Sequence, residues 1–106
     1  MKKKILLVDD KATIGKVASI YLGKDYDVMY LENPIKAIDW LNEGNVPDLI
    51  ISDIRMPGMN GVELCQEIRR RQPHCQIIFL TAYSDKEYLK AAIEIGALGY
   101  VEKPVV

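Results

Sequence analysis

Short, unbroken apolar runs alternate with segments of helical period along this chain, and that alternation leaves few folds open. The runs are Ile5-Leu6-Leu7-Val8, Val28 to Leu31, Leu49-Ile50-Ile51, Ile77-Ile78-Phe79-Leu80 and Leu98 to Val101. Continuous apolar runs, rather than apolar–polar alternation, mark strands buried on both faces. Between the first two, Ile14, Val17, Ala18, Tyr21 and Leu22 recur at helical spacing and stop at Gly23, which predicts an amphipathic helix. Strands that alternate with helices require right-handed crossovers and give a mostly parallel sheet with helices on both faces, a doubly wound α/β fold.

The other helices carry their own start and stop signals. Asn33-Pro34 supplies an N-cap and a proline at the first helical position, where its missing N–H costs nothing. That helix is expected to run through Ile35, Ile38 and Leu41 to Gly44. Asn60-Gly61-Val62-Glu63 resembles a capping box, with Leu64, Cys65 and Ile68 on the buried face behind it. Arg69-Arg70-Arg71 fall in its last turn, where cations suit the helix dipole, and Pro73 prevents continuation. Ser84-Asp85-Lys86-Glu87 opens a further helix with Tyr88, Ala91, Ala92 and Ile95 buried, closed by Gly96.

With 106 residues, the chain has room for one core and one domain, residues 1–106. Fourteen Lys+Arg against fifteen Asp+Glu give a net charge of -1. A dedicated nucleic-acid domain carries a basic excess to displace counterions from phosphates, so no direct nucleic-acid binding is expected. Cys65, Cys75 and the single His74 are too few for a zinc site and are expected to be ordinary, with both thiols reduced. The apolar run after Lys2-Lys3-Lys4 stops at Asp9-Asp10, too short for a signal peptide, and no stretch of about 20 apolar residues could span a bilayer. The expectation is a cytoplasmic protein without membrane association.

Chemistry collects at the strand ends. The first run ends in Asp9-Asp10, the third in Asp53, the fourth in Thr81, and the fifth, after Glu102, in Lys103; the second offers nothing comparable. In an open parallel α/β sheet these carboxyl ends share one edge, where ligands bind. Each residue alone has a local explanation: Asp9 or Asp10 as a helix cap, Asp53 as a turn residue before Met56-Pro57-Gly58, Lys103 as a solvated lysine. Together they describe a site. Clustered carboxylates repel one another unless a cation sits among them. Mg²⁺ takes oxygen ligands and commonly combines one or two carboxylates with phosphate oxygens, an assembly suited to phosphoryl transfer with an aspartate as nucleophile.

These residues resemble the receiver domain of bacterial two-component response regulators. The matching segments are Val8-Asp9-Asp10, Asp53-Ile54-Arg55-Met56-Pro57-Gly58-Met59-Asn60-Gly61, Leu80-Thr81-Ala82 and Gly99-Tyr100-Val101-Glu102-Lys103-Pro104. The resemblance spans the whole chain and implies a flavodoxin-like five-stranded parallel sheet of order 2-1-3-4-5. It implies that Asp53 accepts a phosphoryl group from the phosphohistidine of a sensor histidine kinase or phosphotransfer protein. Mg²⁺ would be held by Asp10, Asp53 and the backbone carbonyl of Arg55, with Asp9 acting through metal-bound water. Thr81 and Lys103 would bind the phosphoryl group, and Tyr100 would be the switch aromatic. Output, including a homodimer, would use the Asp85–Ile95 helix and the last strand. Arg55 and Tyr83, two residues beyond Asp53 and Thr81, would shield the acyl phosphate from water.

The resemblance also implies a fifth helix, yet the sequence stops at Pro104-Val105-Val106. The expectation is that this helix lies in a longer parent chain, and that without it apolar groups on the first helix and last two strands are exposed. Three other readings fit less well. A haloacid-dehalogenase-type phosphatase needs D-x-D where this chain has adjacent aspartates. A flavodoxin-like cofactor site needs hydroxyls and glycines after the first strand. A phosphorylation-independent interaction module on the same fold would have lost its acceptor, acidic pair or lysine.

Overall fold

The computed structural model describes residues 2–81, Gly96 and 99–102, with only the strand pairing of Thr81 and 99–102. The elements, in chain order, are β1 (Lys4–Val8), α1 (Ala12–Leu22), β2 (Asp27–Leu31), α2 (Pro34–Asn42), β3 (Leu49–Asp53), α3 (Gly61–Arg71), β4 (Gln76–Thr81) and β5 (Gly99–Glu102). The strands form one parallel sheet of order β2-β1-β3-β4-β5, the order implied by the sequence. The expected helix from Asp85 to Ile95 lies outside the described residues.

The sheet's two faces differ. On one, Leu6, Val8, Ile50, Ile77 and Phe79 pack with Ala37 and Leu41 of α2 and Leu64, Cys65 and Ile68 of α3, nearly all wholly excluded from solvent. On the other, α1 lies over β1 and β2, and Ile5 and Leu7 are buried. Leu49 and Ile51 of β3 and Ile78 and Leu80 of β4 remain half-exposed. Burial on both faces therefore holds for β1 but not for β3 and β4.

The same asymmetry shows along α1. Ile14, Ala18 and Leu22 are half-buried, whereas Val17 and Tyr21 are 63% and 72% exposed. This matches the exposure of apolar groups expected on the first helix. A hollow of ~460 Å³ between Leu22, Tyr26, Ile5, Leu49 and Ile51 opens on this face, at the amino ends of the strands.

Start signals are realised in α2 and α3. Asn33 Oδ1 accepts from Lys36 N–H at 2.9 Å, with Pro34 following. Asn60 Oδ1 accepts from Glu63 N–H at 2.9 Å while Glu63 Oε1 accepts from Asn60 N–H at 3.1 Å, a complete capping box. In α2 the buried residues are Pro34, Ala37 and Leu41, while Ile35 is 58% exposed; the helix turns its alanine, not Ile35, into the core. Both cysteines are free and buried. Burial pushes the Cys65 thiol up to about 12, with Cys75 adding to the effect and Arg69 opposing it.

Candidate metal centre

Strand register builds the site. Val8 pairs with Ser52 across β1 and β3, Asp53 with Leu80 across β3 and β4, and Thr81 with Glu102 across β4 and β5. Residues 9, 53 and 81 therefore reach one edge of the sheet, as the sequence implied. Parallel strands bring their carboxyl ends together only when their registers agree, and here they agree to within a residue.

Asp9, Asp10 and Asp53 each place a carboxylate oxygen within 4.8 Å of the others. Asp9 is wholly buried, Asp53 is 2% exposed and Asp10 is half-buried. Two ionised carboxylates at this separation repel by about 3 kcal/mol at an effective dielectric of ~20, and a divalent cation replaces that repulsion with attraction. Asp10 Oδ1 is a buried oxygen that accepts no hydrogen bond. Three hard oxygen donors at one locus fit Mg²⁺ and offer nothing to a soft metal.

The helix-capping explanation of the acidic pair fails. The N-cap of α1 is Lys11, which makes no side-chain cap bond. Instead Asp9 Oδ1 accepts from Lys11 N–H at 2.8 Å, so the carboxylate orders its own turn and stays at the sheet edge. An open groove of ~460 Å³ leads to the cluster, lined by Asp10, Lys11, Arg55, Met56, Pro57 and Asn60. Arg55 is exposed at its mouth.

The loop after β3 returns against the strand it leaves. Gly61 N–H donates to Ile54 O at 2.7 Å, and a Cβ at Gly61 would overlap the Asp53 carbonyl oxygen. Gly58, at φ 85°, makes the left-handed turn that brings the chain back. Ser52 Oγ donates to Asp53 O at 2.9 Å from a fully buried position. The backbone at Asp53 is thus held by a hydroxyl and confined by a glycine. Ser52, a hydroxyl between the apolar run Leu49-Ile50-Ile51 and Asp53, was passed over in the sequence reading.

The second strand contributes to the site, against the sequence expectation. Tyr30 Oη donates to the backbone carbonyl of Asp9 at 2.8 Å. Partial burial, then the charges of Asp9, Glu32 and Asp10, raise the Tyr30 phenol above its ordinary value. Its sequence signal is faint: a tyrosine on an outer strand facing a glycine, Gly15, inside a helix. The side chains of Thr81 and Tyr100, and Tyr83 and Lys103 altogether, lie outside the described residues, so the structure unites three of the expected site side chains and the Arg55 loop.

Comparison with known proteins agrees with this architecture. The family model for the response regulator receiver domain matches residues 5–106. Sporulation initiation phosphotransferase F of Bacillus subtilis is 30% identical over 98% of this chain and 84% of its own length. A cyclic di-GMP phosphodiesterase of Thermotoga maritima is 35% identical over 95% of this chain, but the chain spans only 27% of that protein. The response regulator TrrA from Thermotoga maritima, solved in complex with Mg²⁺-BeF, superposes with a TM-score of 0.82 at 36% identity, covering 96% of this chain and 87% of TrrA. With the family model matching residues 5–106 and relatives similar in sequence and fold over nearly its whole length, the chain belongs to the family of response regulator receiver domains.

Proposed function

We propose that residues 1–106 act as one phosphorylation-dependent switch, with Asp53 as the phosphoacceptor. The observation that carries this reading is the convergence of Asp9, Asp10 and Asp53 at one sheet edge, with ligand oxygens within 4.8 Å and a groove open to solvent beside them. An Asp53 carboxylate oxygen attacks the phosphorus of a phosphohistidine, on a sensor histidine kinase or phosphotransfer protein. The P–O bond forms as the P–N bond breaks, and the imidazole leaves with the electron pair. Asp10, Asp53 and the Arg55 carbonyl are the residues that would hold Mg²⁺, with Asp9 reaching it through water. When bound, that ion neutralises charge on the transferring phosphoryl oxygens.

Thr81 and Lys103 bind the phosphoryl oxygens left over, and Tyr100 responds to the movement of Thr81. The Asp85–Ile95 helix and the last strand present the resulting surface to an output domain, an effector or a second copy. The domain modifies itself and is no turnover enzyme; the phosphodiesterase name belongs to a protein of which this chain matches about a quarter.

The test is intact-mass spectrometry after incubation with acetyl phosphate, with and without Mg²⁺, for wild type and Asp53→Asn. The expected result is one phosphoryl adduct that requires Mg²⁺ and is absent from the variant. No adduct in the wild type would favour a module that signals by binding alone. An adduct persisting in Asp53→Asn would place the acceptor elsewhere.

A further inference from the structure

We infer that Tyr30 is a positioning residue for the acidic pair: its hydroxyl sets the Asp9–Asp10 peptide in the orientation that lets both carboxylates take Mg²⁺. This inference rests on the Mg²⁺ reading above.

Hydrogen bonds hold residue 9 at its N–H, its carbonyl and its carboxylate. Its N–H donates to Leu31 O at 3.3 Å, its carbonyl accepts from Tyr30 Oη at 2.8 Å, and its Oδ1 accepts from Lys11 N–H at 2.8 Å. The first two come from β2, the strand at the sheet's edge. The carbonyl that Tyr30 holds belongs to the peptide joining Asp9 to Asp10, and a peptide is planar. Fixing the direction of that carbonyl fixes the plane from which the Asp10 backbone departs. A single hydroxyl on β2 therefore orients two carboxylates without touching either.

The tyrosine reaches this carbonyl because α1 makes room for it. Gly15 is buried, and a Cβ at that position would overlap the Tyr30 ring at Cδ1, Cε1 and Cζ. Glycine inside a helix is unfavourable relative to alanine because it loses more backbone freedom. Here it stands one turn into α1, its N–H donating to Lys11 O at 3.1 Å. The ring lies across the start of the helix, and the hydroxyl emerges at the acidic turn. Tyr30 and Gly15 form one device: the glycine leaves the space that the ring occupies.

The experiment measures Mg²⁺ affinity by isothermal titration calorimetry and the unfolding midpoint without Mg²⁺, for wild type, Tyr30→Phe, Gly15→Ala and the double variant. Phenylalanine keeps the ring and removes only the hydroxyl. Tyr30→Phe is expected to weaken Mg²⁺ binding about fivefold, the scale of one hydrogen bond. Gly15→Ala displaces the ring and weakens Mg²⁺ binding by at least as much. In the Tyr30→Phe background it weakens binding no further, because the hydroxyl contact is already gone. Unchanged Mg²⁺ affinity in Tyr30→Phe overturns the inference, and so does a lowered midpoint with unchanged affinity, which assigns Tyr30 to packing. Equal, additive losses from Gly15→Ala in both backgrounds overturn the link between ring and glycine. A wild type that takes up no Mg²⁺ overturns the underlying metal reading as well.

Discussion

Gly61 lies against the backbone of Asp53 so closely that any side chain at position 61 would overlap the Asp53 carbonyl oxygen. The obstacle is backbone on both sides, since a Cβ would also crowd Asp53 C and Ile54 Cα, and no flexible group can turn aside. Gly61→Ala must therefore separate the start of α3 from the end of β3. Overpacking of this kind costs about 1–3 kcal/mol, or roughly 10 °C in melting temperature for a domain of this size. Calorimetry checks it, and a melting temperature within about 2 °C of wild type would show that the loop yields easily. Because the loop carries Arg55, the same variant should phosphorylate more slowly.

The capping box of α3 gives a second quantitative expectation. Asn60 and Glu63 each accept from the other's backbone N–H, at 2.9 and 3.1 Å. Replacing Asn60 with alanine removes one acceptor and should cost about 1 kcal/mol. Asn60→Ala and Glu63→Ala together should cost less than their separate losses combined, since each bond helps hold the geometry of the other. Additive losses in urea unfolding would show two independent bonds.

Much of this was legible in the sequence, and the exceptions have a common cause. Apolar runs located the strands, and Asn33-Pro34 and Asn60 to Glu63 located two helix starts, because those signals act within a few residues. The acidic cluster was legible too, since parallel strands must deliver their carboxyl ends to one edge. What escaped notice were contacts between elements distant in sequence. Tyr30 reaches Asp9 across 21 positions and clears α1 only at Gly15, a complementarity that periodicity cannot reveal. The periodicity on α1 could not by itself say that Val17 and Tyr21 are exposed. Spacing shows that a helix has an apolar face, but not whether another element covers it.

The buried thiols predict a pH dependence of stability. Burial raises the Cys65 thiol from its ordinary value of about 9 to about 12 and raises Cys75 as well. Below about 9 both folded and unfolded thiols hold their protons, and the native state keeps its full margin. As pH rises from 9 toward 12, the unfolded chain releases protons that the folded chain retains, so stability falls. One such thiol costs about 1 kcal/mol when pH is one unit above its unfolded value. The urea midpoint should drop between pH 8 and pH 10, and Cys65→Ala should flatten that slope. An equal slope in the variant would assign the loss to other groups. Iodoacetamide at pH 8 should label neither cysteine until the protein is unfolded.

Arg55 should govern how long the phosphorylated state lasts. Hydrolysis of an acyl phosphate on Asp53 needs a water molecule in line with the bond that breaks, and such water must pass the mouth of the groove. Arg55 stands there, exposed, beside Asp10, Met56, Pro57 and Asn60. Arg55→Ala removes the obstructing side chain but keeps the backbone carbonyl assigned to Mg²⁺, so access changes while the metal ligands do not. Decay of the phosphoryl adduct, followed by intact mass, should accelerate by about three- to tenfold, roughly 0.7–1.4 kcal/mol at the barrier. Arg55→Lys, long but narrower, should fall between. Tyr83→Ala tests the partner position two residues beyond Thr81 in the same way. An unchanged half-life in Arg55→Ala would mean that water approaches Asp53 by a path this side chain does not guard.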